Sequence, residues 1–491
     1  MAEFHYRQSA IDYPEDPLTL AENAAWRLAW EQPRFSAHSG ISAAQRWSLF
    51  AILLFLSALV LIAPRTSVLM LGWALAVLFT FVALFRCVLL AAGVYAAWRA
   101  RTTTPDRVTL SDAGLPVYTV LVPLYREPGS VPQLVAALTR LDYPPDRLDI
   151  KLVLEADDGD TFAAIQNLDL PVQFEVLRVP ALAPRTKPKA CNYALASARG
   201  AHVVIYDAED IPDTDQLRKA AAAFQAAGPQ LACLQARLNY YNPRENWLTR
   251  QFTLEYSMWF DWLLPGLQAL GLPIPLGGTS NHFRTCILRQ LGGWDAYNVT
   301  EDADLGLRLA RSGYACMVLD STTMEEANCQ HGNWLRQRTR WLKGYMLTWL
   351  VHMRQPLLLW RQLGTGAFLG FQLFVGGTVA LALAMPAAGL IFIIGICACG
   401  PMAPEMLTKL NEIVFIMGIS VTAISAMAGA IGRDHYDLLG DIALTPFYWG
   451  LTMIAALRAL WQLADNPFYW EKTRHAISRV SPYQPAELLS S

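Results

Sequence analysis

The sequence is short of charge. Only 16% of its 491 residues are Asp, Glu, Lys or Arg, against roughly 25% in ordinary soluble domains. What charge there is nearly cancels, to a formal net value of −2, so no broad electrostatic footprint for nucleic acid is present. Cysteine is sparse too. None of the eight has paired metal-ligand spacing, and Cys191, Cys233, Cys286, Cys316 and Cys329 are scattered through the polar middle of the chain. That scatter argues against a disulfide-built scaffold and suits a reducing compartment. No secretory leader is expected either: MAEFHYRQSAIDYPED is polar and acidic, and the first apolar run begins only near Trp47.

What is present is apolar and clustered. Hydrophobic residues make up 54% of the chain and gather in runs over 47–63, 68–98, 366–400, 413–431 and 442–464. Each is near or above the ~20 residues that cross a bilayer core, which predicts an integral membrane protein. Arg27, Arg34 and Arg46 precede the first run, Arg99, Arg101 and Arg107 follow the second, and only Arg65 lies between. Basic flanks stay cytosolic. Residues 47–98 are therefore expected to form a transmembrane hairpin, with 1–46 and 99–365 in the cytosol. Arg86, within the second run, is read as snorkelling to the interface. The 366–400 run is read as a tight hairpin turning at Pro386. That makes six spans, four of them within 366–464, and returns the tail 465–491 to the cytosol.

The polar middle alternates strand-like and helical patterns. VYTVLVPLY, IKLVLEA, VQFEVLRV and HVVIYDA read as strands, with helices predicted over 131–141, 189–198 and 214–227. Such alternation predicts an α/β sheet with mostly parallel strands, whose ligands bind beyond the C-terminal strand ends. There the carboxylates appear: LEADDGD follows the second strand and YDAEDIPD the fourth. Either cluster alone could be a solvated turn. Downstream, however, come VTEDADLGLRL and then QRTRWLKGY. Together these supply oxygen ligands for a hard cation, a carboxylate that can take a proton, and an arginine to balance a departing anion.

In that order, these motifs resemble the family 2 glycosyltransferases with the GT-A fold over about 117–350. The likeness is to their membrane-embedded, processive branch, which includes bacterial cellulose, chitin and hyaluronan synthases. The resemblance implies a Rossmann-like GT-A domain inserted between the transmembrane helices. By the same resemblance Asp157 and Asp158 of DDG contact the nucleotide, Tyr125 and Glu127 of VPLYRE hold uracil, and Lys189 of KPKACN lies near the nucleotide. Asp207 and Glu209 of DAED match the metal-binding motif for Mg²⁺ or Mn²⁺, with Glu209 standing where the family has aspartate and Asp210 as a further candidate. Asp302 of TED, beside Glu301, matches the general base. Gln337 and Arg340 of QRTRW serve the diphosphate and acceptor region, and Trp341 stacks on the acceptor sugar. Gly278 of PLGGTSNHF lies beneath the acceptor terminus, and WEKTRH at 470–475 resembles a gating segment over the nucleotide.

Other features read as structural. His282 and His331 are expected to be non-ligands, YSMWFDW at 256–262 an amphipathic interface helix in preference to a sugar-binding aromatic run, and Lys343, Arg354 and Arg361 interfacial anchors. The implied activity is that of a polysaccharide synthase of the bacterial inner membrane. It would move a sugar from UDP-glucose or UDP-N-acetylglucosamine to a growing glycan with inversion, and export the product through its own helices. The lipid bilayer is an expected partner and nucleic acid is not; export or regulatory proteins would have to supply any control, since no cyclic-di-GMP-binding domain is expected. The alternatives are a non-processive transferase with a lipid acceptor, and an inactive receptor or secretion scaffold on the same fold.

Overall fold

The computed structural model describes residues 16–102, 110–386 and 405–480. Its centre is an eight-stranded mixed sheet in the order β3-β2-β1-β4-β7-β6-β8-β5. The strands are β1 Tyr118–Leu124, β2 Leu148–Glu155, β3 Phe174–Val179, β4 His202–Ile205, β5 Ile211–Pro212, β6 Leu231–Tyr240, β7 Asn281–Arg284 and β8 Ala315–Glu325. The four runs read as strands from sequence are β1 to β4, and all pair in parallel. β1 and β2 are almost wholly buried because helices cover both faces, which is why they read as continuous rather than alternating apolar runs. Their side chains still divide by parity. Val120, Val122 and Leu152 enter one core, while Leu121 and Val153 enter the other.

The longer helices include α1 Pro17–Glu31, α2 Ala43–Ile62, α3 Pro64–Thr102, α4 Val131–Thr139, α5 Gly159–Gln166, α6 Lys187–Ala196 and α7 Gln216–Ala226. They continue with α8 Trp247–Met258, α9 Glu301–Arg311, α10 His331–His352, α11 Pro356–Phe371, α12 Glu405–Gly432 and α13 Thr445–Asp465. α4, α6 and α7 answer to the three helices read from sequence. α6 opens two residues earlier than expected, with Pro188 in its first turn, where a missing N–H costs nothing. α8 runs into a π-helical turn at Trp259–Leu263.

Five described helices are long and apolar enough to cross a membrane: Ala43–Ile62, Leu69–Ala100, Pro356–Pro386, Glu412–Gly432 and Tyr436–Asp465. By length and composition these five are candidate membrane spans. The sixth expected span falls in the second half of the 366–400 run, which lies outside the described residues. α2 buries none of its residues, as a helix facing lipid should. α3 instead docks on the sheet domain through close backbone contact. A Cβ on Gly93 would stand 2.4 Å from the Trp262 carbonyl, and one on Gly266 2.2 Å from that of Leu89.

Two of the expected interfacial anchors are not anchors. Lys343 is fully buried and donates to the carbonyls of Tyr469 at 2.8 Å and Asn466 at 3.4 Å. Arg354 donates to the carbonyls of Ser36 at 2.9 Å and Gly40 at 2.6 Å, tying down the segment between α1 and α2. Both cations satisfy orphan carbonyls rather than headgroups. Arg361 is exposed, as expected. His282 is a satisfied core residue, 2.7 Å from the Tyr118 hydroxyl and 3.2 Å from Gln216.

Candidate active site

The C-terminal ends of β1, β2 and β4 open into one cavity of about 320 Å³. Beyond β1, Tyr125 and Glu127 line it; at the end of β2, Glu155; beyond β4, Asp207 and Glu209. The loop before β7 adds Gly278, α9 adds Glu301 and Asp302, and α10 adds Gln337, Arg340 and Trp341. Residues as far apart in sequence as Tyr125 and Trp341 are thus gathered by the sheet topology. The π-turn and the apolar helices contribute Trp259, Phe260 and Thr378. The 256–262 stretch therefore does more than lie at an interface: Tyr256, Trp259 and Phe260 face the cavity.

Three predicted residues are placed elsewhere. Lys189 is buried beside the cavity, its ammonium on Glu155 at 2.7 Å and on the Leu182 carbonyl at 2.8 Å, so it steadies Glu155 rather than reaching a ligand directly. Asp158 caps α5 through Thr161 N–H and accepts from Arg126 N–H at 2.5 Å. Asp157 is half-exposed and held by Arg185 at 2.6 Å; of the two, Arg185 is the one that lines the cavity. Asp210, the further metal candidate, turns inward to Asp207 N–H and the Thr279 hydroxyl.

Lys187 lines the cavity instead. It pairs with Asp207 and donates to the Gly278 carbonyl at 2.7 Å. Burial opposes its charge, but Asp207 and Glu301 outweigh that and raise its pKa above the usual lysine value. Two residues along a helix is about 200° of rotation, so only one of the two lysines in KPKACN can face the site. Pro188 as a helix-start signal was the available hint that Lys187 sits at the strand–helix junction.

Burial tunes the α9 carboxylates. It pushes Asp302 up to about 6, held back by the Ala303 N–H, Lys187 and Arg340. Glu301 rises further, to about 8, through burial and the neighbouring Asp302. A base with a pKa near 6 is ionised at neutral pH yet basic enough to share a proton in a transition state. Among the described residues Arg340 donates only to the Val299 carbonyl, at a long 3.5 Å, and its guanidinium lies 4.5 Å over the Trp470 ring. Its capacity to bind an anion is largely unspent.

The tail covers this mouth. Trp470, Lys472, Thr473 and His475 line the cavity. His475 Nδ1 stands 2.6 Å from Glu209, and Lys472 is 3.4 Å from Glu127. Burial disfavours the imidazolium, but Glu209, Glu127 and Asp207 together raise His475 to about 9. Three consecutive amides, of Ala476, Ile477 and Ser478, donate to the Glu326 carboxylate at 2.7–3.0 Å and hold the segment down.

The donor set suits a hard divalent cation. Asp207 and Glu209 offer carboxylate oxygens to the cavity, and each is now paired with a side-chain cation. Glu325 also lines it, with Oε1 buried and without a hydrogen-bond partner among the described residues. Burial and the nearby Asp210, Glu209 and Asp207 push the Glu325 pKa well up, the signature of a site with more negative charge than its surroundings balance. Among the described residues, however, no three such groups are already gathered at metal-binding distance.

Residues 116–344 match the family model described as glycosyltransferase like family 2. A probable glycosyltransferase of Bacillus subtilis, YdaM, is 28% identical over 249 residues, 49% of this chain and 58% of its own length. Beta-monoglucosyldiacylglycerol synthase of Trichormus variabilis is 26% identical over 256 residues, 51% of this chain and 53% of its own. The chain thus spans between half and three-fifths of the length of these relatives. Among solved structures, a mannosyltransferase of Pyrobaculum calidifontis, in complex with GDP-Man and Mn²⁺, is 20% identical. It covers 78% of this chain and 99% of its own, with a TM-score of 0.47.

Proposed function

We propose that this chain, whose middle half is a family 2 glycosyltransferase domain of GT-A type, moves a sugar with inversion from a nucleoside diphosphate sugar to an acceptor hydroxyl at the membrane. One observation carries the reading: a single cavity joins Asp302, the Asp207/Glu209 pair and the underused Arg340, and its lining extends to Thr378 on an apolar helix. Asp302 takes the proton from the acceptor hydroxyl. As that oxygen bonds to the anomeric carbon, the bond from this carbon to the diphosphate oxygen breaks. The nucleoside diphosphate leaves from the opposite face, which inverts the centre. Arg340 meets the charge that develops on it. Asp207 and Glu209 would hold Mg²⁺ or Mn²⁺, whose chemistry is to neutralise the diphosphate; to do so they must release Lys187 and His475. Trp341 offers a face for the acceptor ring, next to Tyr256 at 6.2 Å.

The product we favour is a growing glycan made from a UDP-sugar, because the aromatic lining around Trp341 leads on to a membrane-crossing helix that could conduct it. A lipid acceptor is the second reading. It is favoured by the diacylglycerol named in the Trichormus relative and by the apolar character of Trp259 and Phe260. The test is incubation of the protein in nanodiscs with radiolabelled UDP-sugars. Label in large, water-soluble product supports the synthase, and label in small, solvent-extractable product supports the lipid transferase. No turnover with any donor would sink both and leave the scaffold.

A further inference from the structure

Lys187 has more hydrogen-bonding capacity than its partners use. An ammonium has three N–H donors. Among the described residues, Asp207 and the Gly278 carbonyl take two of them. The side chain is 14% exposed, and that exposure is to the cavity it lines. Gly278 fixes where it points: a Cβ there would lie 3.4 Å from Asp302 Oδ2 and 4.0 Å from Lys187 Nζ. The base and the ammonium therefore look onto the same small patch, across a residue without a side chain.

That patch is where the transferred ring must lie. The acceptor oxygen beside Asp302 has to reach the anomeric carbon at about 3 Å, so the sugar bearing that carbon sits within a ring's width of the carboxylate. The diphosphate has its own partner in Arg340. Resting on the transferase reading above, we infer that Lys187 binds the donor's sugar: its ammonium donates to a hydroxyl oxygen of the transferred ring and so helps to select which sugar is accepted. Neutral hydroxyls, not phosphate, are its ligand class. The bond to the Gly278 carbonyl aims the ammonium at the ring, and it stays in place when Asp207 turns to the cation.

The experiment compares ligands that differ only by the sugar. Full-length protein in nanodiscs with Mn²⁺ is titrated calorimetrically with UDP, UDP-glucose and UDP-N-acetylglucosamine, as wild type and as Lys187→Met. The expected result is a loss of about tenfold in affinity for the bound UDP-sugar, with UDP itself changed by less than about twofold. An equal loss for both ligands would show that Lys187 only positions Asp207, and no loss for either would show that it touches nothing. Both results overturn the inference. A series of singly deoxygenated donors on the wild type decides the matter even if the variant does not fold. One hydroxyl should cost about tenfold when removed, and a series in which no hydroxyl matters overturns the inference too. A wild type that binds none of these nucleotides would instead bring down the transferase reading, and this assignment with it.

Discussion

Arg338 and Arg340 stand two residues apart on α10, on nearly opposite faces of the helix, in surroundings of opposite kinds. Arg338 is fully engaged at both terminal nitrogens. It meets Glu255 at 2.8 and 2.5 Å and the Tyr448 hydroxyl at 2.7 Å, and its guanidinium lies 4.9 Å over Trp341 and 5.2 Å over Trp334. Arg340 has one long bond to a carbonyl and a tryptophan beneath it. In both, Nε is buried and has no partner among the described residues, so the difference lies in the terminal nitrogens. A buried cation with a carboxylate already in its fork is structural, because removing either partner strands the other. A part-buried cation with an open fork on a cavity wall, as Arg340 is, can take an anion. The contrast extends to the carboxylates. Glu255, beside Trp341, is neutralised in place, whereas Asp207, Glu209 and Glu325 crowd together at the mouth.

The sharpest way to break this comparison is to remove the divalent cation that the mouth is proposed to hold. EDTA should reduce nucleoside diphosphate release to background and Mn²⁺ should restore it; full turnover in EDTA would mean that the crowded carboxylates serve another purpose. Next is Asp302→Asn, which keeps the shape and removes the proposed base. Activity should fall by at least about a hundredfold. As the proposed base, the carboxylate must be ionised in the wild type. With its pKa raised to about 6, kcat/KM should therefore fall as pH drops through about 6 and level off above it. A limb near pH 4 would show that the burial effect does not survive in the working enzyme.

Replacing Arg338 with Leu tests the structural side. It leaves Glu255 unpaired, and a cost of about 3–5 kcal/mol should appear as a lowered melting temperature and poor recovery from detergent. Arg340→Lys should do the reverse. Lysine keeps the charge but not the planar fork, so melting should hold while the rate drops about a hundredfold, or about 3 kcal/mol in the barrier. If the two variants exchange phenotypes, the comparison is wrong. The smallest effect belongs to Arg361→Lys, which is exposed on α11 and should leave both rate and melting unchanged.

Much of this was legible in the sequence, for physical reasons. Parallel strands buried on both faces announce themselves as apolar runs, so β1 to β4 and the acids at their ends could be placed without coordinates. Asp302, Arg340 and Trp341 lie on strongly patterned segments, and their convergence follows from strand order. What stayed hidden depends on rotation or on distant partners. Which lysine of KPKACN faces the cavity is a matter of helix phase. Lys343 looked like an anchor because it precedes an apolar run, but its partners are carbonyls more than 120 residues away. Arg338 lies inside the QRTRW motif, yet its role is set by Glu255 and Tyr448, which no local pattern links to it.

The lysine misread as an anchor has a mechanical meaning. By gripping the carbonyls of Asn466 and Tyr469, Lys343 fixes the short link between the last apolar helix, which ends at Asp465, and the cover over the catalytic mouth, which begins at Trp470. Helix and cover are therefore joined by almost no slack. A bilayer too thin or too thick for that helix makes it tilt or slide, and the displacement is delivered to Trp470 and His475 rather than absorbed by a loop. If the cavity performs the proposed transfer, lipid thickness should enter its rate, so turnover in membranes of different chain length is expected to differ even where every side chain in the cavity is the same.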